Sequence, residues 1–281
     1  MNPANGGRPP VAIGGVGGSG TRLIAAILRQ LGFYLGGDLN VSVDNLWFTL
    51  LFKRFDLGAE AERSAEFDRA ADVFHRVMVG HAPLGSTQIA WVRTLALADR
   101  LDHDRAWLEE RVETLLAADA ARSGAPGAWG WKEPNTHVFL DRLPAVFPGM
   151  KYIHVARNGL DMAFSANQNQ LRLWGPLFLG NAPVDPSPRT SLKYWCHVHR
   201  RVLELGADLQ GRFLMLNYDA FCRAPREHLP ALGRFLGVSI DPRQQAALES
   251  LVTLPDSIGR HKAHSLAVFD PADVQYVQEV L

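Results

Sequence analysis

Five glycines between positions 14 and 20 interrupt the chain just after a short apolar run, and this segment constrains the fold more than any other. It reads Gly14-Gly15-Val16-Gly17-Gly18-Ser19-Gly20-Thr21-Arg22. Before it, Val11 to Gly14 has the character of a buried strand. After it, Leu23, Ile24, Ile27, Leu28 and Leu31 recur at helical spacing until Gly32 ends the pattern. Strand, glycine loop and helix in that order build an anion site. Glycines let successive N–H groups converge, and the helix start adds partial positive charge. Ser19 and Thr21 add hydroxyls and Arg22 a full charge. A turn that merely permits tight helix–strand packing is the plainer alternative.

The spacing Gly15 to Gly20 is that of a nucleoside-triphosphate loop. Thr21-Arg22, however, stands where that motif needs Lys followed by Ser or Thr, so the group that would reach the β/γ-phosphates is missing. Gly15, Gly17 and Gly20 also spell the dinucleotide fingerprint G-x-G-x-x-G, a weak pattern by itself.

Further along, Asp44 to about Ala121 has helical character, and Ser123 to Gly127 is a turn-rich break. Lys151 to Ala156 and Phe213 to Asn217 are the patterns of two more strands. Gly175 to Pro188, rich in proline, is expected to be a loop. Helices are expected near 192–205, 226–236 and 242–251. Strands alternating with helices predict an α/β fold, a three-layer sandwich with a central, mostly parallel sheet of the P-loop nucleotide-binding kind. No repeat or linker divides the chain, so one domain over 1–281 is expected, with 1–10 flexible.

Balanced charge, 29 basic against 29 acidic residues, excludes bulk attraction to nucleic acid or an anionic membrane. The first ten residues lack the apolar core of a secretion signal, and no stretch is long and apolar enough to span a bilayer. Two cysteines, Cys196 and Cys222, read as free thiols. These features predict a cytoplasmic protein. No His/Cys/carboxylate spacing requires a metal.

Several blocks together resemble the sulfotransferases that use 3′-phosphoadenosine-5′-phosphosulfate (PAPS). Ser19-Gly20-Thr21 resembles that family's 5′-phosphosulfate loop, although the basic residue usual before the serine is here Gly18. Lys151-Tyr152-Ile153-His154-Val155-Ala156-Arg157, with Ser165 beyond it, resembles the family's 3′-phosphate site, and Phe147-Pro148-Gly149 its preceding turn. Lys132-Glu133-Pro134 resembles the Lys-x-Pro element. Leu216-Asn217-Tyr218-Asp219 and Phe235-Leu236-Gly237 resemble later family blocks, and Arg260, His261 and Lys262 stand where the family has a basic loop.

The resemblance implies transfer of a sulfuryl group from PAPS to a hydroxyl or amine of a carbohydrate, small molecule or peptide, releasing adenosine 3′,5′-bisphosphate. Gly17, Gly18, Ser19, Gly20, Thr21, Arg22, Arg157, Ser165, Tyr218, Arg260 and Lys262 would bind the nucleotide, with Lys132 and Arg22 as catalytic cations. Asp38, in a Gly-Asp pair at the offset from Ser19 that the tyrosylprotein branch gives its catalytic Glu, is the first candidate base. Glu133 is the second, or an ion-pair partner for Lys132. Asp44 is the third, or a helix N-cap. Trp47, Phe48, Trp174 and Phe178 could wall an acceptor pocket or belong to the core, and Gly175 to Pro188 could form a lid. The alternatives are a kinase or nucleoside triphosphatase with a degenerate loop, and a non-catalytic nucleotide-binding protein.

Overall fold

Alternating apolar residues in the short strands fill two separate cores, one on each face of a parallel sheet. The computed structural model describes residues 8–60, 62, 64–80, 82–121, 127–180 and 184–281. Residues 1–7 of the expected flexible start, and 123–126 of the expected break, lie outside that set. Strands β1 (Val11–Gly14), β2 (Gly130–Lys132), β3 (Lys151–Ala156) and β4 (Phe213–Asn217) form one sheet in the order β2-β1-β3-β4. Every pairing is parallel, with Ile13 beside Lys132, Gly14 beside His154 and Ala156 beside Asn217.

Because side chains alternate along a strand, Ala12 and Tyr152 enter one core while Val11, Ile13, Ile153 and Val155 enter the other. The second core packs under helix α1 (Thr21–Gln30), whose Ile24, Ile27 and Leu28 are fully buried. The first is dominated by rings. Phe48 stacks on Phe52 at 4.5 Å and on Trp131 at 5.6 Å, and Phe74 meets Trp131 edge-on at 5.4 Å. Trp47, Phe48 and Trp174 are buried in this core and Phe178 packs against it. The aromatic residues that could have walled an acceptor pocket are thus core.

The expected helical stretch 44–121 resolves into short helices, the longest being Ala65–Val79 and Arg105–Ala121. Asn45, rather than Asp44, caps Leu46–Phe52, accepting from the Phe48 N–H at 2.8 Å. The expected loop 175–188 is shorter than its prolines suggest, because the helix Asn169–Leu179 runs through Pro176 and stops at Gly180. Burial of Leu171, Leu173 and Trp174 offsets the hydrogen bond that Pro176 cannot make. Residues 181–183 lie outside the described set. Among the described residues no helix is long and apolar enough to cross a membrane.

Candidate functional site

Parallel strands all end at the same edge of the sheet, and there they deliver the glycine loop, Lys132, Arg157 and Tyr218 to one cleft. The cleft measures about 800 Å³. Its walls include Gly17, Gly18, Gly20, Thr21, Arg22, Lys132, Arg157 and Tyr218. The loop is tied down at few points: Gly15 N–H donates to Pro134 O at 3.1 Å, and Ser19 N–H to Val16 O at 3.0 Å. The N–H groups of Val16, Gly17, Gly18 and Gly20 donate to no protein acceptor among the described residues. Ser19 Oγ is buried and likewise without a partner. Groups of this kind are satisfied by an anion, so the loop has the donor set of a phosphate cradle.

Two glycines are required by shape. Gly18 has φ +90°, a region that side-chain-bearing residues avoid, which gives a physical reason for glycine where the resemblance has a basic residue. Gly20 has φ +93°, and a Cβ there would lie 2.1 Å from the Tyr218 ring. Tyr218 therefore packs directly on the loop. Burial pushes its hydroxyl up to about 12.

Arg157 follows β3 and is held from three sides. It donates to Ser257 Oγ at 2.6 Å and to Gly18 O at 3.5 Å, and its Nε stands 3.7 Å from Asp219 Oδ1. Asp161, four residues beyond Arg157, accepts from the Gly259 and His261 N–H groups at 2.7 and 2.9 Å. It also contacts His261 Nδ1 at 2.6 Å, and these hydrogen bonds hold its carboxyl below the usual range. That contact fastens the turn carrying Arg260 and Lys262, neither of which lines the cleft. Ser165 is half-buried, its hydroxyl accepting from Asn167 N–H at 3.2 Å.

Lys132 is 2% exposed, and its ammonium donates to Ser42 O at 2.9 Å and to the Asp44 carboxylate. The turn that supplies both acceptors is self-braced: Asn40 Oδ1 accepts from the Ser42 and Asp44 N–H groups at 2.9 Å each. At its tip Val43 adopts φ 63°, strained for a β-branched residue, and it lines the cleft beside Ser42 and Asp44. Arg22 is exposed on the same wall.

The three carboxylates suggested as bases separate clearly in space. Asp38 does not line the cleft; it accepts from Arg111 Nη1 at 3.1 Å and from Thr114 Oγ1 at 2.5 Å. Glu133 is buried, accepts from Asn135 N–H at 2.5 Å and Nδ2 at 2.7 Å, and starts the turn Pro134–Phe139. Burial, with the Asp44 charge nearby, pushes its carboxyl up to about 7. Only Asp44 of the three borders the cleft. Sequence reading missed Ser42, Ser257 and Asn167. Ser42 acts through its carbonyl and the others are ordinary loop residues, so nothing in their identity signals a role.

A protein-family model described as "Sulfotransferase family" matches residues 9–242. Among solved structures, the sulfotransferase domain of the Synechococcus PCC 7002 olefin synthase is 19% identical. That match covers 100% of this chain and 91% of that one, with a TM-score of 0.46. The sulfotransferase STF9 of Mycobacterium avium is 15% identical over 97% of this chain and 75% of its own, with a TM-score of 0.46. No curated protein matches the sequence.

Proposed function

This chain belongs to the sulfotransferase family, and from that premise we propose that it transfers a sulfuryl group from PAPS to a hydroxyl or amine of an acceptor. The observation that carries the reading is the loop itself: Gly17, Gly18 and Gly20, whose N–H groups have no protein acceptor among the described residues, line a cleft shared with Lys132 and Arg157, and the Ser19 hydroxyl among them is buried without a partner.

In this reading the N–H groups of Gly17, Gly18 and Gly20, with Ser19 and Thr21, hold the 5′-phosphosulfate. Arg157 meets the 3′-phosphate, its fork already aimed by Asp219 and Ser257. Ser165, Arg260 and Lys262 complete that end if the turn held by Asp161 folds over the nucleotide, and Tyr218 packs beside it. Bound PAPS would supply the sulfuryl group and a phosphate leaving group. Lys132 and Arg22 stabilise the negative charge that gathers there, which in group transfer of this kind is most of the catalysis.

Asp44 is the carboxylate we assign as base. It borders the cleft and touches Lys132, whereas Asp38 is committed to Arg111 and Thr114. The apolar and small side chains on its wall, Leu23, Ala26, Val43 and Pro134, suit a hydroxyl or amine carried on a compact apolar frame.

Thermal unfolding with adenosine 3′,5′-bisphosphate, set against ATP with magnesium, tests the donor site. At a hundredfold its dissociation constant the bisphosphate should stabilise the chain by about 2.7 kcal/mol. No shift with the bisphosphate and a clear one with ATP would overturn the reading in favour of a nucleoside-triphosphate enzyme. Transfer of labelled sulfate to an acceptor panel then tests turnover.

A further inference from the structure

The phosphate loop is held from beneath by one side chain that lies far away in sequence. Gln170, on the first turn of the helix Asn169–Leu179 and 7% exposed, donates from Nε2 to the Gly15 carbonyl at 3.2 Å. A peptide is planar and trans, so its C=O and N–H point in opposite directions. Drawing the Gly15 carbonyl inward onto Gln170 therefore turns the Val16 N–H away from the core. Val16 is the first of the loop residues whose N–H has no protein acceptor among the described residues.

The carboxamide is itself oriented. With its NH₂ facing a carbonyl, its Oε1 faces His137 Nε2 at 3.3 Å, so that nitrogen carries the proton and Nδ1 does not. Burial holds the His137 ring neutral, its pKa lowered to about 3, so the tautomer is set by this contact. Packing fixes Gly15 itself, where an added Cβ would meet Ser19 Oγ and Val155 O at 2.5 Å, but the space beyond it is looser. A cavity of about 10 Å³ bordered by Val16, Gly17, Gln170 and Tyr194 lies under the loop, and the nearest atom of Gln170 to a Cβ built on Gly17 is 3.6 Å away. The same helix is pinned again by Trp174, which donates to Asn135 Oδ1 at 2.8 Å, and Asn135 in turn grips Glu133 beside Lys132.

We propose that Gln170 is a positioning residue for the donor nucleotide, aiming the loop amides at the 5′-phosphate and tying them to the helix Asn169–Leu179. This role rests on the donor site proposed above.

Calorimetric titration of the full chain with adenosine 3′,5′-bisphosphate tests it, comparing wild type with Gln170→Met, which keeps the volume and removes the donor. The variant should bind about tenfold more weakly, and KM for PAPS should rise with kcat little changed, the pattern of lost alignment at the loop. Wild type that binds, with Gln170→Met binding equally well, overturns the role alone. Wild type that does not bind the bisphosphate overturns the donor site and this role with it. Should the variant not fold, hydrogen exchange of the Gln170 carboxamide in ¹⁵N-glutamine-labelled wild type decides. Slow exchange that slows further with bisphosphate supports the role, and exchange as fast as an exposed glutamine overturns it.

Discussion

Lys132 and Asp44 form an ion pair at the lip of the cleft, although they are 88 residues apart in the chain. The pair is asymmetric: the lysine is 2% exposed and the aspartate 20%, so the carboxylate is the more accessible of the two. In the proposed transfer the carboxylate would serve the acceptor and the ammonium the leaving group.

Asp44→Asn should lower kcat by about 10²-fold or more, because general-base catalysis contributes on that order, and should also cost about 2 kcal/mol of stability because it takes the carboxylate from the buried Lys132. Asp38→Asn should retain kcat. It takes from Arg111, itself 7% exposed, the more buried of its two carboxylate partners, leaving the exposed Glu110, and should destabilise by about 2 kcal/mol. Steady-state kinetics and urea unfolding of the two variants separate these outcomes, and a kinetic collapse confined to Asp38→Asn would transfer the base assignment to that residue.

Arg157→Ala should weaken bisphosphate binding by roughly 10²-fold, and Arg157→Lys should recover little, since a point charge cannot reproduce a fork set by Ser257 and Asp219. Titration calorimetry reads both. Full recovery by lysine would reduce the role of Arg157 to net charge.

Gly20→Ala should abolish bisphosphate binding, because the new methyl overlaps the Tyr218 ring, which lies 2.1 Å from a Cβ built there. Gly18→Ala meets no atom within 4 Å and should lower stability only by about 1 kcal/mol, the strain of its positive φ. Adding Tyr218→Ala to Gly20→Ala should restore part of the folded stability, and the absence of any rescue would mean that the two residues do not act through this contact.

Acid should unfold the protein through its buried histidines. Burial depresses His137 to about 3 and His199 to about 4, and holds His154 well below its ordinary value. These groups take up protons near pH 6.5 only when unfolded. Their contribution is therefore complete above about pH 6.5 and declines as pH falls towards their folded values, by up to about 1.4 kcal/mol per pH unit for each histidine. Glu133 acts in the opposite sense. Its carboxyl is raised to about 7, so its contribution is complete below its ordinary 4.5 and is lost as pH rises through about 7. Urea unfolding between pH 7.5 and 4.5 should show the histidines prevailing. Stability that stays level or rises on acidification would contradict their neutrality.

Local pattern was enough to locate the scaffold. The strands Val11–Gly14, Lys151–Ala156 and Phe213–Asn217 stand where apolar runs placed them, and α1 starts where the glycines end, because strands under covering helices read as nearly continuous apolar runs, even the half-buried edge strand Phe213–Asn217. A parallel sheet then brings strand ends together, so the proximity of Lys132, Arg157 and Tyr218 follows from topology once the strands are known. Pro176 and the ring cluster were less readable. A proline inside a helix and a tryptophan in a core are decided by what packs against them, and that partner is distant in the chain.

Composition, spacing and the glycine segment carried the α/β architecture and the strand–loop–helix around the glycines, since both arise from conformational preferences of neighbouring residues. The choice among Asp38, Glu133 and Asp44, the bracing of Arg157 by Ser257, and the hold of Gln170 on Gly15 depend on hydrogen bonds spanning 73 to 155 residues. No local preference encodes such contacts; they exist only once the sheet has brought the ends of its strands to one edge.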